Sequence, residues 1–419
     1  MKNVLTVLLA GGAGERLHPL TRNRAKPAVP FGGTYRIIDV TLSNCLNSRL
    51  SRILVLVQYK SHSLARHMQQ SWNIFNAEFG EFIDVIPPQQ RVNSSWYLGT
   101  ADAIYQNLYF VAQEDPREVL VLSGDHIYKM DYRPMLRQHE ERRAALTMAV
   151  MDVDPSETHR FGIVLNDEQG RVTQFLEKPK DAPSTLANMG VYVFNTSVLI
   201  ERMERLGAEH PDLDFGKHVL PSMIDEYPMY TFPFDGYWVD VGTVDAYWQT
   251  SMDLVSGKSR LDLNEPSWVI HTRSQERAPA KFGPQARAQQ SMISNGCMIR
   301  GQVSHSVLSP GVYISPGAIV KESVLMNDAW IGPGCVVDRC ILDKGVVVGS
   351  GTHLGWGDDL NTPNAKAPDR FFTGPSIVGR AAHVPANIRV GRNVVIESDV
   401  DEDAFSSFGD VVPSGATVG

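Results

Sequence analysis

Ile319-Val320-Lys321-Glu322-Ser323-Val324-Leu325-Met326-Asn327-Asp328-Ala329-Trp330-Ile331-Gly332-Pro333-Gly334-Cys335-Val336-Val337 places apolar residues at Ile319, Leu325, Ile331 and Val337, one every six positions. A second series repeats the interval at Val378, Val384, Val390 and Ile396, and Gly332, Gly379 and Gly391 directly follow three of the eight. An α-helix repeats every ~3.6 residues and a flat strand every ~2, so this period fits neither. It fits a triangular coil in which each step makes one short strand and one corner, and stacked steps share a continuous core. Glycine suits the corners because it tolerates left-handed backbone angles. Seventeen of the 34 glycines fall after residue 290, in under a third of the chain, as that reading requires. Residues 355–375 interrupt the period and read as a loop thrown out from the coil.

Toward the N-terminus the pattern changes. Leu5–Leu9, Ile53–Val57, Val119–Leu122, Leu146–Val150 and Gly190–Phe194 are short apolar runs, separated in places by helix-length segments such as Ala101–Ala112 and Tyr132–Arg142. Strand-then-helix alternation predicts an α/β domain with a mostly parallel sheet, with ligands beyond the carboxyl ends of the strands. The boundaries read as an α/β domain over 1–255, a proline-containing polar linker over 256–288 and the six-residue repeat over 289–419. The repeat resembles the hexapeptide family of left-handed parallel β-helices.

Composition narrows the function. The 43% hydrophobic and 21% charged residues are those of a soluble enzyme, without the signatures of disorder or membrane residence. Forty-seven acidic residues against 39 Lys and Arg leave no basic field to hold nucleic acid or anionic lipid. Four cysteines make no disulfide scaffold, and Cys335 and Cys340 have no second pair to complete a zinc site. A reducing, cytoplasmic setting fits. Val4–Ala10 after Lys2 has the look of a short signal peptide, but it runs straight into Gly11-Gly12-Ala13-Gly14-Glu15-Arg16 without a cleavage site and reads as a buried first strand.

Five stations carry chemistry. Gly11, Gly12 and Gly14 follow that strand, where clustered glycines let backbone N–H groups close on phosphate oxygens. The turn is neither a dinucleotide fingerprint nor a Walker loop; alone it is as readily a structural turn. Arg16 at its end and Lys26 shortly after supply cations suited to a leaving pyrophosphate. Gly99-Thr100-Ala101-Asp102 opens a helix; Gly99 admits a flat ring, and Gln89 and Gln90 offer amides that can read adenine, uracil or thymine. Asp102 reads equally as a helix-dipole acid. Asp125 ends Val119-Leu120-Val121-Leu122-Ser123-Gly124-Asp125, where a carboxylate either caps a loop or holds a divalent cation. Glu177-Lys178 reads as a surface ion pair or as a sugar-phosphate contact. Asp240, in Trp238-Val239-Asp240-Val241-Gly242, is a turn acid or a second metal ligand.

Together these residues amount to a resemblance. Leu9–Leu17, Pro19-Leu20-Thr21, Arg24-Ala25-Lys26-Pro27-Ala28-Val29, Phe31-Gly32-Gly33 and Tyr35-Arg36-Ile37-Ile38-Asp39 resemble the sugar nucleotidyltransferases, and within them the bacterial glucose-1-phosphate adenylyltransferases. Gln58-Tyr59, Gln89-Gln90-Arg91 and Trp96-Tyr97 extend the match. The resemblance implies ATP and glucose 1-phosphate as substrates and Mg²⁺ as cofactor. It makes Arg16, Lys26 and Asp125 catalytic, with the metal on Asp125 and Asp240. Gly11, Gly12, Gly14, Gln89, Gln90, Gly99 and Thr100 are then the nucleotide site. Tyr97, Gly162, Glu177, Lys178 and Asn188 are the sugar-phosphate site, Asn188 standing where the family commonly has Ser. His126 is read as structural, because an ionised sugar phosphate needs no base. The resemblance further implies a homotetramer and small-molecule effectors at the domain junction, with Arg24 and Arg36 at effector positions. Arg370, Arg380, Arg389 and Arg392 read as solvated loop charges, with an anionic effector as the alternative. A uridylyl- or thymidylyltransferase, or a catalytically silent regulatory subunit of the same fold, are the competing functions.

Overall fold

The computed structural model describes residues 3–12, 14–89, 96–257 and 260–419. Strand β1 (Val4–Leu9) lies inside a nine-stranded sheet, parallel to Arg52–Leu56 on one side and Glu118–Ser123 on the other. Its side chains alternate between two cores: Leu5 and Val7 pack with Ile104 and Met203, and Val4 and Leu8 with Leu42 and Leu64. Burial on both faces is why this strand is apolar apart from Thr6.

The sheet has a parallel half and an antiparallel half. Phe82–Ile86 extends the parallel half at one edge. On the other side Leu186–Asn195 runs antiparallel to Glu118–Ser123, and shifts register between Asn188 and Tyr192 where it also pairs with Leu146–Asp152. Gly162–Asn166 and Val172–Glu177 complete that edge. A small hairpin-like pair sets Trp238–Asp240 against His126–Tyr128, with Asp240 directly opposite His126. The segment 101–112 is two helices, one over Thr100–Tyr105 and a second over Leu108–Glu114. The break falls at Asn107, whose amide donates to the Tyr97 hydroxyl and the Ala103 carbonyl, both at 2.8 Å.

The C-terminal part is a parallel β-helix of three sheets with six, seven and seven strands. Tyr313 pairs with Trp330 and Trp330 with Val347, so one coil is 17 residues. Three steps of six would be 18. The short corner lies between Val320 and Leu325, and it corrects one expectation: Val320 points inward, while Ile319 is 37% exposed. Coils stack in register across the interruption, Leu342 pairing with Val378 and Leu354 with Val390.

The interruption is pinned in place. Arg392, read as solvated, is buried, and donates to Gly357 O at 2.9 Å and to Asp338 Oδ2 at 2.8 Å. The Asn393 amide holds the Leu360 and Thr362 carbonyls, and buried Asn364 bonds to Asn393 O and Ala416 O.

The 256–288 segment is also more structured than a linker. Trp268 Nε1 donates to Asn44 Oδ1 at 3.1 Å, His271 N to Ser43 Oγ at 2.8 Å and Thr272 Oγ1 to Asp39 Oδ2 at 2.7 Å, strapping it onto α1 (Ile37–Asn47). The first β-helix strands, Lys281–Phe282 and Arg287–Gln289, begin before residue 289.

One β-helix sheet packs on the α/β domain. Its outward residues Val307, Val324, Ile341, Ile377 and Val395 share a buried cluster with Leu17, Leu20, Phe31, Tyr247 and Trp248. Arg24 and Asp343 form a buried ion pair across this junction, and His18 meets Glu397 at 2.9 Å.

Candidate active site

The carboxyl ends of β1, Arg52–Leu56 and Glu118–Ser123 open onto a cleft of about 500 Å³. Gly11, Gly12, Lys26, Gln58, Tyr59, Tyr97, Gly99, Thr100, Asp125 and Asp214 are among its lining residues. Two larger cavities, of about 640 and 860 Å³, lie along the Phe82–Ile86 edge and contain none of the motif residues.

The floor of the cleft is a charge triad. Lys26 Nζ donates at 2.8 Å to both Asp125 Oδ2 and Asp240 Oδ1, although the three residues come from distant parts of the chain. Lys26 is 5% exposed. Burial opposes its charge, but Asp125 and Asp240 outweigh it and raise its pKa. Burial likewise opposes ionisation of Asp125; Lys26, His126 and a hydrogen bond from Ser123 overcome it and hold the carboxyl well below the usual carboxylate range. Gly14 makes room for this arrangement: at φ 64° its backbone is left-handed, and a Cβ there would lie 2.9 Å from Lys26 Cβ. Arg16 stands at the rim, its guanidinium exposed and 3.9 Å from Asp240 Oδ2.

Asp125, His126 and Asp240 bring one ligand atom each within 4.8 Å of one another. Carboxylate oxygens suit a hard divalent cation, and the Lys26 ammonium between them marks a position that demands positive charge. His126 Nδ1 is buried without a hydrogen-bond partner, and the ring edge rests on Trp238 at 5.1 Å, consistent with packing.

Gly99 lines the cleft, and its missing side chain also makes room for protein: a Cβ would collide with the Leu213 carbonyl oxygen. Thr100 Oγ1 donates to Asp214 Oδ2 at 2.9 Å, and Asp214 Oδ1 accepts from Gly216 N at 2.9 Å, so Asp214 ties the Thr100–Tyr105 helix to the turn at Phe215–Val219. Asp102 Oδ2 accepts from Leu98 N at 2.9 Å and Gln106 Nε2 at 3.0 Å; burial raises its pKa against those bonds, and its role is to hold this turn. Gln89 is exposed, bonds to the Pro87 carbonyl and does not line the cleft. Gln90 lies outside the described residues.

The sugar-side residues gather at the antiparallel edge. Glu177 packs against Gly162 and Gly216, next to Asp214, and pairs with Lys178 Nζ at 3.3 Å. Lys178 is 62% exposed and has positive φ. Two residues differ from expectation because their polar groups are already engaged. The Tyr97 hydroxyl is turned inward to Asn107, so Tyr97 lines the cleft beside Gly99 and Gln58. Asn188 Nδ2 donates to Tyr192 OH at 2.6 Å and Asn188 Oδ1 accepts from Gly190 N at 3.1 Å, bracing the register shift.

Sequence reasoning gave no site role to Gln58, Ser123 or Asp214; single polar residues at strand ends and in loops carry no pattern. It also missed Lys344. Arg36 and Lys344 line a polar cavity of about 440 Å³ at the domain junction with Arg273, Arg277 and His67. Arg24 lies beside it, paired with Asp343 and with Nη1 unpartnered.

A glycine turn closing the first strand, carboxylates converging on it and a second polar cluster along the sheet are the marks of a nucleotidyltransferase joined to a hexapeptide β-helix. Residues 5–257 match the Nucleotidyl transferase family, and residues 278–367 match the GlmU-like, C-terminal hexapeptide family. A glucose-1-phosphate adenylyltransferase of Thermomicrobium roseum is 49% identical over 100% of this chain and 98% of its own length. Relatives of the same name in Koribacter versatilis and Acetivibrio thermocellus are 47% and 41% identical, over 89% and 97% of this chain and 95% and 96% of theirs. The chain belongs to the glucose-1-phosphate adenylyltransferase family. Such nucleotidyltransferases work with a divalent metal. Among the described residues no helix is long and apolar enough to cross a membrane.

Proposed function

We propose that this chain condenses ATP with glucose 1-phosphate to give ADP-glucose and pyrophosphate, supplying ADP-glucose for glycogen synthesis. The observation that carries this is the buried Lys26 held between Asp125 and Asp240, at the foot of a cleft walled by the glycine turn. Asp125 and Asp240 would hold Mg²⁺, which when bound neutralises triphosphate charge.

Lys178 takes the phosphate of glucose 1-phosphate. Its pairing with Glu177 is exposed and therefore weak, so the ammonium is free to exchange partners. A phosphate oxygen attacks the α-phosphorus of ATP, the bond to the β-phosphate oxygen breaks, and pyrophosphate leaves toward Gly11, Gly12, Gly14, Arg16 and Lys26. Each side chain positions charge, with no covalent protein intermediate and no base. Glu177 and Gly162 border the sugar, and Asn188 shapes that end through the braced strand. The junction cavity, with Arg36, Arg273, Arg277 and Lys344, suits an anionic effector. The enzyme acts in the cytoplasm as a homotetramer.

The test is pyrophosphate release with Mg²⁺ and glucose 1-phosphate, supplying ATP, UTP, dTTP, GTP and CTP separately. Strong preference for ATP is expected. Release with UTP or dTTP would reassign the base, and silence with all five in a folded protein would point to a regulatory subunit.

A further inference from the structure

The pinned interruption of the β-helix ends on the glycine turn. Phe371 is 4% exposed, in the cluster containing Leu17 and Leu20 just after that turn. The preceding residue, Arg370, donates from Nη1 to the Glu15 carbonyl at 3.1 Å. Glu15–Leu17 is the short 3₁₀ turn that carries Arg16, and the same carbonyl accepts from His18 N at 3.1 Å. Arg370 also lines a cavity of about 210 Å³ with Glu15, His18, Thr21, Tyr59 and Lys60. Tyr59 is shared with the active-site cleft. Lys60 Nζ donates to Thr21 O at 2.7 Å, and Thr21 Oγ1 donates to Gly14 O at 2.8 Å. The turn is therefore held by carbonyl contacts on this side, one of them from the β-helix.

We propose that Arg370 is a positioning residue for the reaction. By holding the Glu15 carbonyl, it fixes the turn whose amides and Arg16 receive the polyphosphate. A guanidinium bound to that carbonyl restrains the turn and adds positive charge beside the cleft. The effect falls on the pyrophosphate end and leaves the sugar end at Glu177 and Lys178 alone. The inference rests on the pyrophosphate-releasing reading above.

The experiment compares Arg370→Ala and Arg370→Lys with the unaltered full chain. It measures binding of inorganic pyrophosphate with Mg²⁺ by calorimetry, KM for ATP and for glucose 1-phosphate, and Tm. Arg370→Ala should weaken pyrophosphate binding and raise KM for ATP by roughly tenfold, the weight of one charge-assisted hydrogen bond. KM for glucose 1-phosphate and Tm should stay put, and Arg370→Lys should recover part of the loss. Unchanged pyrophosphate affinity and KM for ATP would overturn the proposal. So would equal losses for both substrates together with a lowered Tm, which is what a packing role produces. Calorimetry separates the two failures: if the unaltered chain binds pyrophosphate but releases none from any nucleotide, the function is wrong while Arg370 is still tested.

Discussion

The β-helix has one face that meets the catalytic domain and two that meet water, and the sequence is written differently on them. On the docked face five successive strands pair an outward apolar residue with an inward one, and both are buried: Val307-Leu308, Val324-Leu325, Ile341-Leu342, Ile377-Val378 and Val395-Ile396. On the other faces an inward apolar residue sits beside outward ones such as Lys321, His383 and Arg389, which stay exposed. Apolar doublets occur there too, as at Trp330-Ile331 and Val411-Val412, but their outward residues are exposed; a buried outward residue is what marks the interface. The β-helix shares a core with the catalytic domain through that face, whereas the cleft relies on convergent charge and contributes little to cohesion.

That contrast can be broken in four ways. Asp125→Asn should lower turnover by at least about a thousandfold, the scale of losing preorganised charge at a reacting phosphate, while circular dichroism stays unchanged and Tm falls only modestly, through the lost charge opposite Lys26. A large drop in Tm would mean that the charge triad holds the fold. Asp343→Ala, at the interface, should do the reverse. It strands the buried Arg24 guanidinium and should destabilise by about 3 kcal/mol in denaturant unfolding. A loss well under 1 kcal/mol would show that water reaches the pair. Next, Ile377→Ala on the docked face should be destabilising by about 2 kcal/mol, against less than about 0.5 kcal/mol for exposed Ile319→Ala. Equal effects would erase the distinction between faces.

The smallest effect concerns pH. Burial, followed by the Arg36 and Arg24 charges, lowers Lys344 from 10.5 to about 7; Asp343 opposes the shift and Arg380 adds to it. The folded chain thus holds fewer protons than the unfolded chain between those values, so this residue's contribution favours folding increasingly as pH rises from 7 to 10.5. Below 7 the ammonium is charged in both states and its pH dependence disappears. Sulfate binding at the junction cavity, followed by calorimetry, should strengthen a few-fold as pH falls from about 8 to about 6. Lys344→Met should flatten that profile; a slope unchanged by the substitution would put the titrating group elsewhere.

Much of this was legible in the residues. The six-residue interval announced the β-helix because an enclosed coil must put an apolar side chain inward at every step. Ile319 was misplaced because it sits beside Val320 next to a shortened corner, where strict counting slips by one. The glycine turn, Lys26, Asp125 and Asp240 were legible as types, but their convergence was not, since Lys26 bridges carboxylates that only the fold brings together. Gly99, Tyr97 and Asn188 show the opposite limit. Gly99 and Tyr97 line the cleft, but their contacts with protein were not legible: a Cβ at Gly99 would meet Leu213, and Tyr97 and Asn188 spend their side-chain polar groups on Asn107, Tyr192 and Gly190. The break at 355–375 was visible as lost periodicity; what holds it was not, because Arg392, Asn393 and Asn364 act through backbone carbonyls far along the chain.

Cys45 lies in the catalytic domain and Cys297, Cys335 and Cys340 in the β-helix, all four buried and unpaired. Burial pushes the Cys340 thiol up to about 12 and raises the others as well, so none reacts while its surroundings stay closed. The chain thereby carries its own clock for local opening. Labelling Cys45 under native conditions times the catalytic domain, and labelling the other three times the β-helix. Matching rates at the two places would mean that the shared face makes the domains open as one cooperative unit.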